Sequence, residues 1–248
     1  MINIITIDPS LISTALTING KLFSIVAASI SLTKKQALNG WFERASEFCD
    51  ITTIDTSYNN EKNYAQLEIN KLETFQRTAN LIRKLIDTNC DSGYSTIILI
   101  EGYSFSSNAG PLIDLVTFGT LVRRNLFTRS NTELVVLSPS TVKKMAAKLT
   151  YDPIYKGKKV IKVEYRNNEG VAGGSFKKHD IYKALTENDS IQTDWVNFLR
   201  DQQEVVFGLK KVPKPLEDIN DSVVMYHSAS QVCDTDNEFS TIIDQLRE

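Results

Sequence analysis

Residues 95–101, Ser-Thr-Ile-Ile-Leu-Ile-Glu, constrain the fold more than any other stretch of the chain. The run is almost wholly apolar, rich in β-branched residues and shorter than an ordinary helix, so it reads as a strand with no face left for water. Strands buried on both faces belong to parallel sheets covered by helices, which makes this an α/β chain. Glu101 marks the place where that strand leaves the core. The opening residues repeat the arrangement, an Ile-rich run over 2–7 ending at Asp8. They predict a first strand rather than a signal peptide. Residues 11–18 and Lys21–Ser29 predict two more strands around Asn19-Gly20. That pair accepts positive φ at both turn positions and so closes a tight hairpin.

Further along, Leu67, Ile69, Leu72, Phe75, Ala79, Ile82 and Leu85 or Ile86 recur at mostly helical spacing, predicting a long amphipathic helix over Tyr64–Thr88. Pro111–Phe127 predicts a helix with proline near its start, where the missing N–H costs least. Glu133–Leu137 predicts a strand, and Ser138 caps a helix over 140–149. Phe176–Thr186 and Leu216–Gln231 complete the predicted helices. Residues 32–63, 150–173 and 187–215 lack a clean period and read as insertions, the middle one as a hairpin or loop and the last helical around Trp195–Leu199. Residues 1–231 are expected to form one domain, and 232–248 an acidic, frayed tail.

Asp8 and Glu101 both end strands, and neighbouring parallel strands present their carboxyl ends on one edge. Asp218 and Asp221 are three apart, so on the last helix they share a face. Carboxylates gathered this way repel one another and either take up protons or bind cations. Mg²⁺ suits an all-oxygen set, with Mn²⁺ as a substitute. Two ions about 4 Å apart can activate a water and stabilise the leaving oxygen of a phosphodiester. Singly, each acid has an ordinary structural explanation, as a turn residue, a strand exit or a solvated helix face; the joint placement is what points to a metal centre. The three cysteines, Cys49, Cys90 and Cys233, are too far apart for a zinc cluster and fit reduced thiols of an intracellular, cytoplasmic protein. The two histidines cannot build a His-rich site, and His227, two turns past Asp221, is only an outlying candidate. No run of about 18 apolar residues exists, so no membrane span is expected.

In this order the motifs resemble those of the RuvC-type Holliday junction resolvases, which are RNase H-like nucleases. Ile7-Asp8-Pro9-Ser10 resembles the family's opening motif, and Ile100-Glu101 with Asn108-Ala109 its strand-end Glu and downstream Asn-Ala. Ser138–Lys143 resembles its Pro-x-x-Val-Lys, and Gly174-Ser175-Phe176-Lys177-Lys178 its Gly-rich loop with a functional lysine, which lands on Lys178. Glu217–Ser222 resembles its closing Asp-Ala-Ala-Asp-Ala. The resemblance implies an RNase H-like mixed sheet, antiparallel in its first strands and then parallel, flanked by helices. It implies catalysis at Asp8, Glu101, Asp218 and Asp221 with Lys178, four-way junction DNA as substrate, and a homodimer joined through about Leu112–Leu126. The insertions, Ser10 in place of glycine, and Ile219, Asn220 and Ser222 in place of small residues mark a divergent member, as a bacteriophage or other virus would encode.

The net charge is −2, without the overall basic balance usual in nucleic-acid binders. Lys143–Lys183, however, holds ten lysines and one arginine against four acids. Lys143, Lys144 and Lys148 on a helix, Lys156, Lys158 and Lys159 in a loop, and Lys177 beside Lys178 are therefore phosphate-contact candidates. Tyr103 and Phe105 can stack on unpaired bases or plug the core, and Asn108 joins them through the family motif. Three other readings compete: the same chemistry on flaps or hybrids, an inactive DNA-binding module of the same fold, and an actin-like ATPase. The last lacks its second phosphate loop, since Gly173-Gly174 is the only paired glycine.

Overall fold

The computed structural model describes residues 2–27, 36–56, 61–103, 109–156, 162–235 and 238–247. Six strands form one mixed sheet: β1 (Ile2–Asp8), β2 (Ser13–Ile18), β3 (Lys21–Ala27), β4 (Asp50–Ile54), β5 (Ser95–Glu101) and β6 (Thr132–Leu137), in the order β4-β3-β2-β1-β5-β6. β1 pairs antiparallel with β2, and β2 with β3, through the hairpin whose Asn19 and Gly20 both take positive φ. β5 lies parallel to β1 and to β6. This is the mixed sheet, antiparallel in its first strands and then parallel, expected from the sequence.

Strand parity sorts the side chains between two cores. Ile5 and Ile7 of β1 and Ile98 and Ile100 of β5 face α2 (Tyr64–Asn89) and α3 (Ala109–Phe127), where Phe75, Ile82, Phe118, Val122 and Leu126 meet them. Ile4, Ile97 and Leu99 face the other side, covered by α4 (Pro139–Thr150), α5 (Lys178–Glu187), α6 (Asp194–Asp201) and α8 (Leu216–Thr235). Each of these isoleucines is at most 8% exposed, and burying one contributes about 1.5–3 kcal/mol. Parity then decides the site. Asp8 follows Ile4 and Thr6, and Glu101 follows Ile97 and Leu99, so both carboxylates emerge on the α8 side. The Ile7–Ile100 register sets them side by side at the carboxyl edge.

Two segments, 32–63 and 232–248, differ from expectation, while 187–215 is helical around Trp195–Leu199 as expected. Residues 32–63 contribute α1 (Gln36–Ala45) and the edge strand β4, parallel to β3. β4 is Asp-Ile-Thr-Thr-Ile, largely exposed, and an edge strand of that kind carries no apolar run to betray it. Residues 187–215 supply α6, capped by Thr193 and burying Trp195, Val196, Phe198 and Leu199, followed by the short α7 (Gln203–Phe207). The reading of 232–248 as a frayed tail is corrected. α8 continues to Thr235, and α9 (Phe239–Arg247) buries Ile242, Ile243 and Leu246 against β6 and α8. Phe239, Ile242, Ile243 and Leu246 have helical spacing; the neighbouring acids hid it. Residues 150–173 do form a hairpin, β7 (Pro153–Lys156) with β8 (Lys162–Tyr165), apart from the main sheet. Among the described residues no helix is long and apolar enough to cross a membrane.

Candidate metal centre

Asp8, Glu101 and Asp221 converge where β1, β5 and the first turns of α8 meet, with one carboxylate oxygen from each lying within 4.8 Å of the others. Asp218 stands one turn before Asp221 and is equally buried, but it is not part of that group. Its Oδ1 is held by Lys214, which also stands 3.7 Å from Glu217. Lys178, the first residue of α5, pairs with Asp221 Oδ2 and lies 3.5 Å from Glu217. Two ammonium groups therefore flank a buried set of acids.

The acids do not behave as surface carboxyls. Burial, then the charges of Glu101, Asp218 and Asp221, raises Asp8 well above its ordinary value. Burial and Asp221 push Glu101 up to about 8. Burial brings Asp218 up to about 6 even though Lys214 opposes it, and Asp221 is raised by burial against the pull of Lys178. Burial alone would lower both lysines, but Asp221, Asp8 and Glu101 outweigh it at Lys178, and Asp218, Glu217 and Asp8 at Lys214.

Glu101 Oε2, Asp218 Oδ2 and Asp221 Oδ1 are buried with no hydrogen-bond partner. Leaving a buried charged acceptor unmatched costs more than the roughly 1–3 kcal/mol of a neutral one. A hard cation with oxygen ligands would satisfy the Glu101 and Asp221 atoms, and the donor set contains neither sulfur nor imidazole. The residues present thus fit a divalent ion such as Mg²⁺ or Mn²⁺.

A clasp of hydroxyls fixes α8 against the sheet. Thr6 Oγ1 donates to the Ser222 carbonyl at 2.7 Å, and the Thr17 and Ser222 hydroxyls meet at 2.7 Å. Thr6 is two residues before Asp8 and Ser222 follows Asp221, so the clasp sets the spacing of two carboxylates. Trp195 Nε1 donates to Asn220 Oδ1 at 3.0 Å from the α6 side. The approach to Lys178 is fixed by Gly173, where a Cβ would stand 2.6 Å from that of Ala147. Ser222→Ala strands the Thr17 hydroxyl and is expected to cost about 1–3 kcal/mol in urea unfolding. It should also weaken the ion; an unchanged midpoint and ion affinity would remove the clasp from the site's support.

The other sequence candidates scatter. Lys143, half-buried on α4, acts electrostatically on Glu101. Lys144 and Lys177 are exposed, Lys144 lying along Gly174 and Lys177 forming the cap of α5. Lys148 lines a separate groove with Gln231 and Leu246, and Gln231 is about 15 Å along α8 from Asp221. Tyr103 packs on α3, its hydroxyl donating to the Val116 carbonyl at 3.3 Å and its ring 4.4 Å from the Arg123 guanidinium. A Cβ at Gly119 would lie 2.5 Å from that hydroxyl, so the glycine admits the ring. Lys156 ends β7, while Phe105, Asn108, Lys158 and Lys159 lie outside the described residues. His227 borders a groove at the hairpin end of the sheet with Tyr226 and Trp195, away from the acids. Sequence reasoning missed Lys214; its signal was the i,i+4 spacing to Asp218 across the start of α8.

No family model matches the chain, and no curated protein sequence matches it. Among solved structures it is similar to RuvC of T. thermophilus in complex with a Holliday junction substrate, at 10% identity over 95% of this chain and 96% of that one, with a TM-score of 0.45. A second Thermus thermophilus RuvC structure matches at 11% identity over 94% and 96% of the two chains, with a TM-score of 0.44.

Proposed function

We propose that this chain is a divalent-metal-dependent endonuclease that cuts branched DNA, with Holliday junctions as the first substrate to test. The observation that carries the reading is the convergence of Asp8, Glu101 and Asp221, with a buried, unpartnered oxygen on each of Glu101 and Asp221 and with Lys178 paired to Asp221. Asp8, Glu101 and Asp221 would hold the ion, which supplies Lewis acidity and a more acidic bound water. Asp221 would offer its unpartnered Oδ1 to the ion, and its Oδ2 pairs with Lys178, which holds that ammonium at the edge of the carboxylates. There Lys178 offsets the negative charge of an incoming phosphodiester. The Thr6–Thr17–Ser222 clasp holds the ligands in place before substrate arrives, so little reorganisation remains for the reacting state. Lys143, Lys144 and Lys177 are proposed to hold the DNA backbone.

We place the dimer contact on α3 and α2. One face of α3 is core, through Phe118, Val122 and Leu126, while Ile113 and Val116 are exposed, as are Ile69 and Leu72 of α2, whose Lys71 stands 3.2 Å from Asp114 of α3. Exposed apolar side chains grouped in this way mark a contact surface. The double variant Ile113→Asp, Val116→Asp is expected to convert a dimer to a monomer in sedimentation equilibrium. A parental monomer at micromolar concentration would refute this placement.

The test of function is a cleavage panel with Mg²⁺ or Mn²⁺, comparing four-way junction, flap, linear duplex, single strand and RNA–DNA hybrid. Symmetric cuts in the junction support the reading. Preference for flaps or hybrids would keep the chemistry and replace the substrate, and no cleavage of any member would reject an active nuclease.

A further inference from the structure

We propose that Lys214 is a built-in cation in the place where a second ion would bridge Asp8 and Asp218, so that the protein free of DNA takes up a single divalent ion. This rests on reading Asp8, Glu101 and Asp221 as the metal centre. Three observations carry it. Among the described residues, those three form the only group of three or more metal-ligating side chains with ligand atoms within 4.8 Å of one another. Asp218, which would complete a second coordination set, instead has Oδ1 on the Lys214 ammonium, with Glu217 Oε2 3.7 Å from the same nitrogen. Asp218 Oδ2 is buried without a partner, so the carboxylate has unused capacity that the ammonium, not a shortage of oxygens, withholds.

The two lysines differ in consequence. Lys178 pairs with Asp221, a member of the triad, and its side chain is 36% exposed, so solvent partly screens it from an ion held there. Lys214 holds a carboxylate outside the triad. An ion bridging Asp8 and Asp218 would have to share Asp218 with an ammonium, and like charges that close in a poorly hydrated site repel strongly. The side chains of Lys214 and Asp218 are 21% and 3% exposed, so solvent screens the repulsion little. Lys214 precedes Pro215 and the first turn of α8, and its four-residue spacing brings it over Asp218.

The experiment counts bound Mn²⁺ from the loss of its free-ion electron paramagnetic resonance signal, using DNA-free parental protein, Lys214→Gln, Lys214→Arg and Asp221→Asn, each checked for folding by circular dichroism. One ion is expected on the parental protein and on Lys214→Arg, and two on Lys214→Gln, the second weaker. Asp221→Asn is expected to lose the tight ion. Two ions on the parental protein, or one on folded Lys214→Gln, would overturn the role of Lys214 while leaving the metal centre standing. No ion on the parental protein would overturn the metal centre itself. Should Lys214→Gln not fold, the parental and Lys214→Arg counts still decide, since two ions on either contradicts the proposal.

Discussion

Asp221→Asn is expected to lower Mg²⁺-dependent cleavage of junction DNA by on the order of 1000-fold, because an ion of this kind supplies several kcal/mol of charge stabilisation. Asp8→Asn should do the same. The change is nearly isosteric, and Asp221 sits among like charges, so the amide relieves repulsion rather than opening a cavity. Lys178 keeps Glu217, 3.5 Å away, as a partner. The variants should therefore fold and still bind junction DNA in a gel-shift assay. The contrast between lost cleavage and kept binding separates a metal ligand from a residue that merely maintains the fold. Cleavage at the parental rate by either variant would end the assignment.

Thermal stability should depend on pH and on divalent ions together. Glu101 at about 8 and Asp218 at about 6, with Asp8 and Asp221 also raised, hold protons more tightly in the folded protein than in the unfolded chain. A raised carboxyl contributes stability fully present below its unfolded value and lost as pH rises through its folded value. Lys178 and Lys214, raised above their ordinary values, stay charged throughout and do not reverse that trend. Without divalent ions, Tm should fall as pH rises from about 5 to about 8.5, the window those carboxyls set. An ion at 100 times its Kd returns about 2.7 kcal/mol, or about 5–10 °C for a domain of this size. Binding also releases protons, so apparent affinity should weaken as pH falls below the Glu101 value. Differential scanning fluorimetry across this range, with and without Mn²⁺, checks both. A Tm that ignores pH and ion alike would remove the cluster's electrostatic basis.

The parts of the fold that advertise themselves are those with a one-dimensional pattern. Ile97–Ile100 could only be an interior strand, Asn19-Gly20 a tight turn, and Phe75, Ala79, Ile82 and Ile86 one helix face. Asp8 and Glu101 were legible because each ends such a pattern. β4 was not, since an exposed edge strand of Asp, Ile and Thr has no face to bury. α9 was hidden by composition, its apolar spacing set among acids. Lys214 has i,i+4 spacing to Asp218, but its role was hidden for another reason. Its meaning lies in which carboxylate it covers, and the division of Asp218 from the Asp8–Glu101–Asp221 group is a three-dimensional fact with no sequence period. The scattering of Lys143, Lys144 and Lys148 shows the same limit: three lysines on one helix face the acids, the solvent and a distant groove.

The clasp between Thr6 and Ser222 joins residues 216 apart, and this orders events in time. β1 leaves the ribosome before its parallel partner β5, which follows about 90 residues later, and α8 comes later still. Closing such long loops is entropically costly, and chains dominated by distant pairings fold slowly. The carboxylates therefore stay apart during most of synthesis. Asp8 and Glu101 can meet as soon as β5 docks, but the cluster lacks its third ligand until α8 emerges and seats Ser222 on the sheet. An emerging chain, or a fragment ending before residue 221, carries no assembled triad and cannot cut nucleic acid by this chemistry. The proposed hydrolytic capacity is thus tied to the docking of α8, late in the chain, a safeguard that arises from topology.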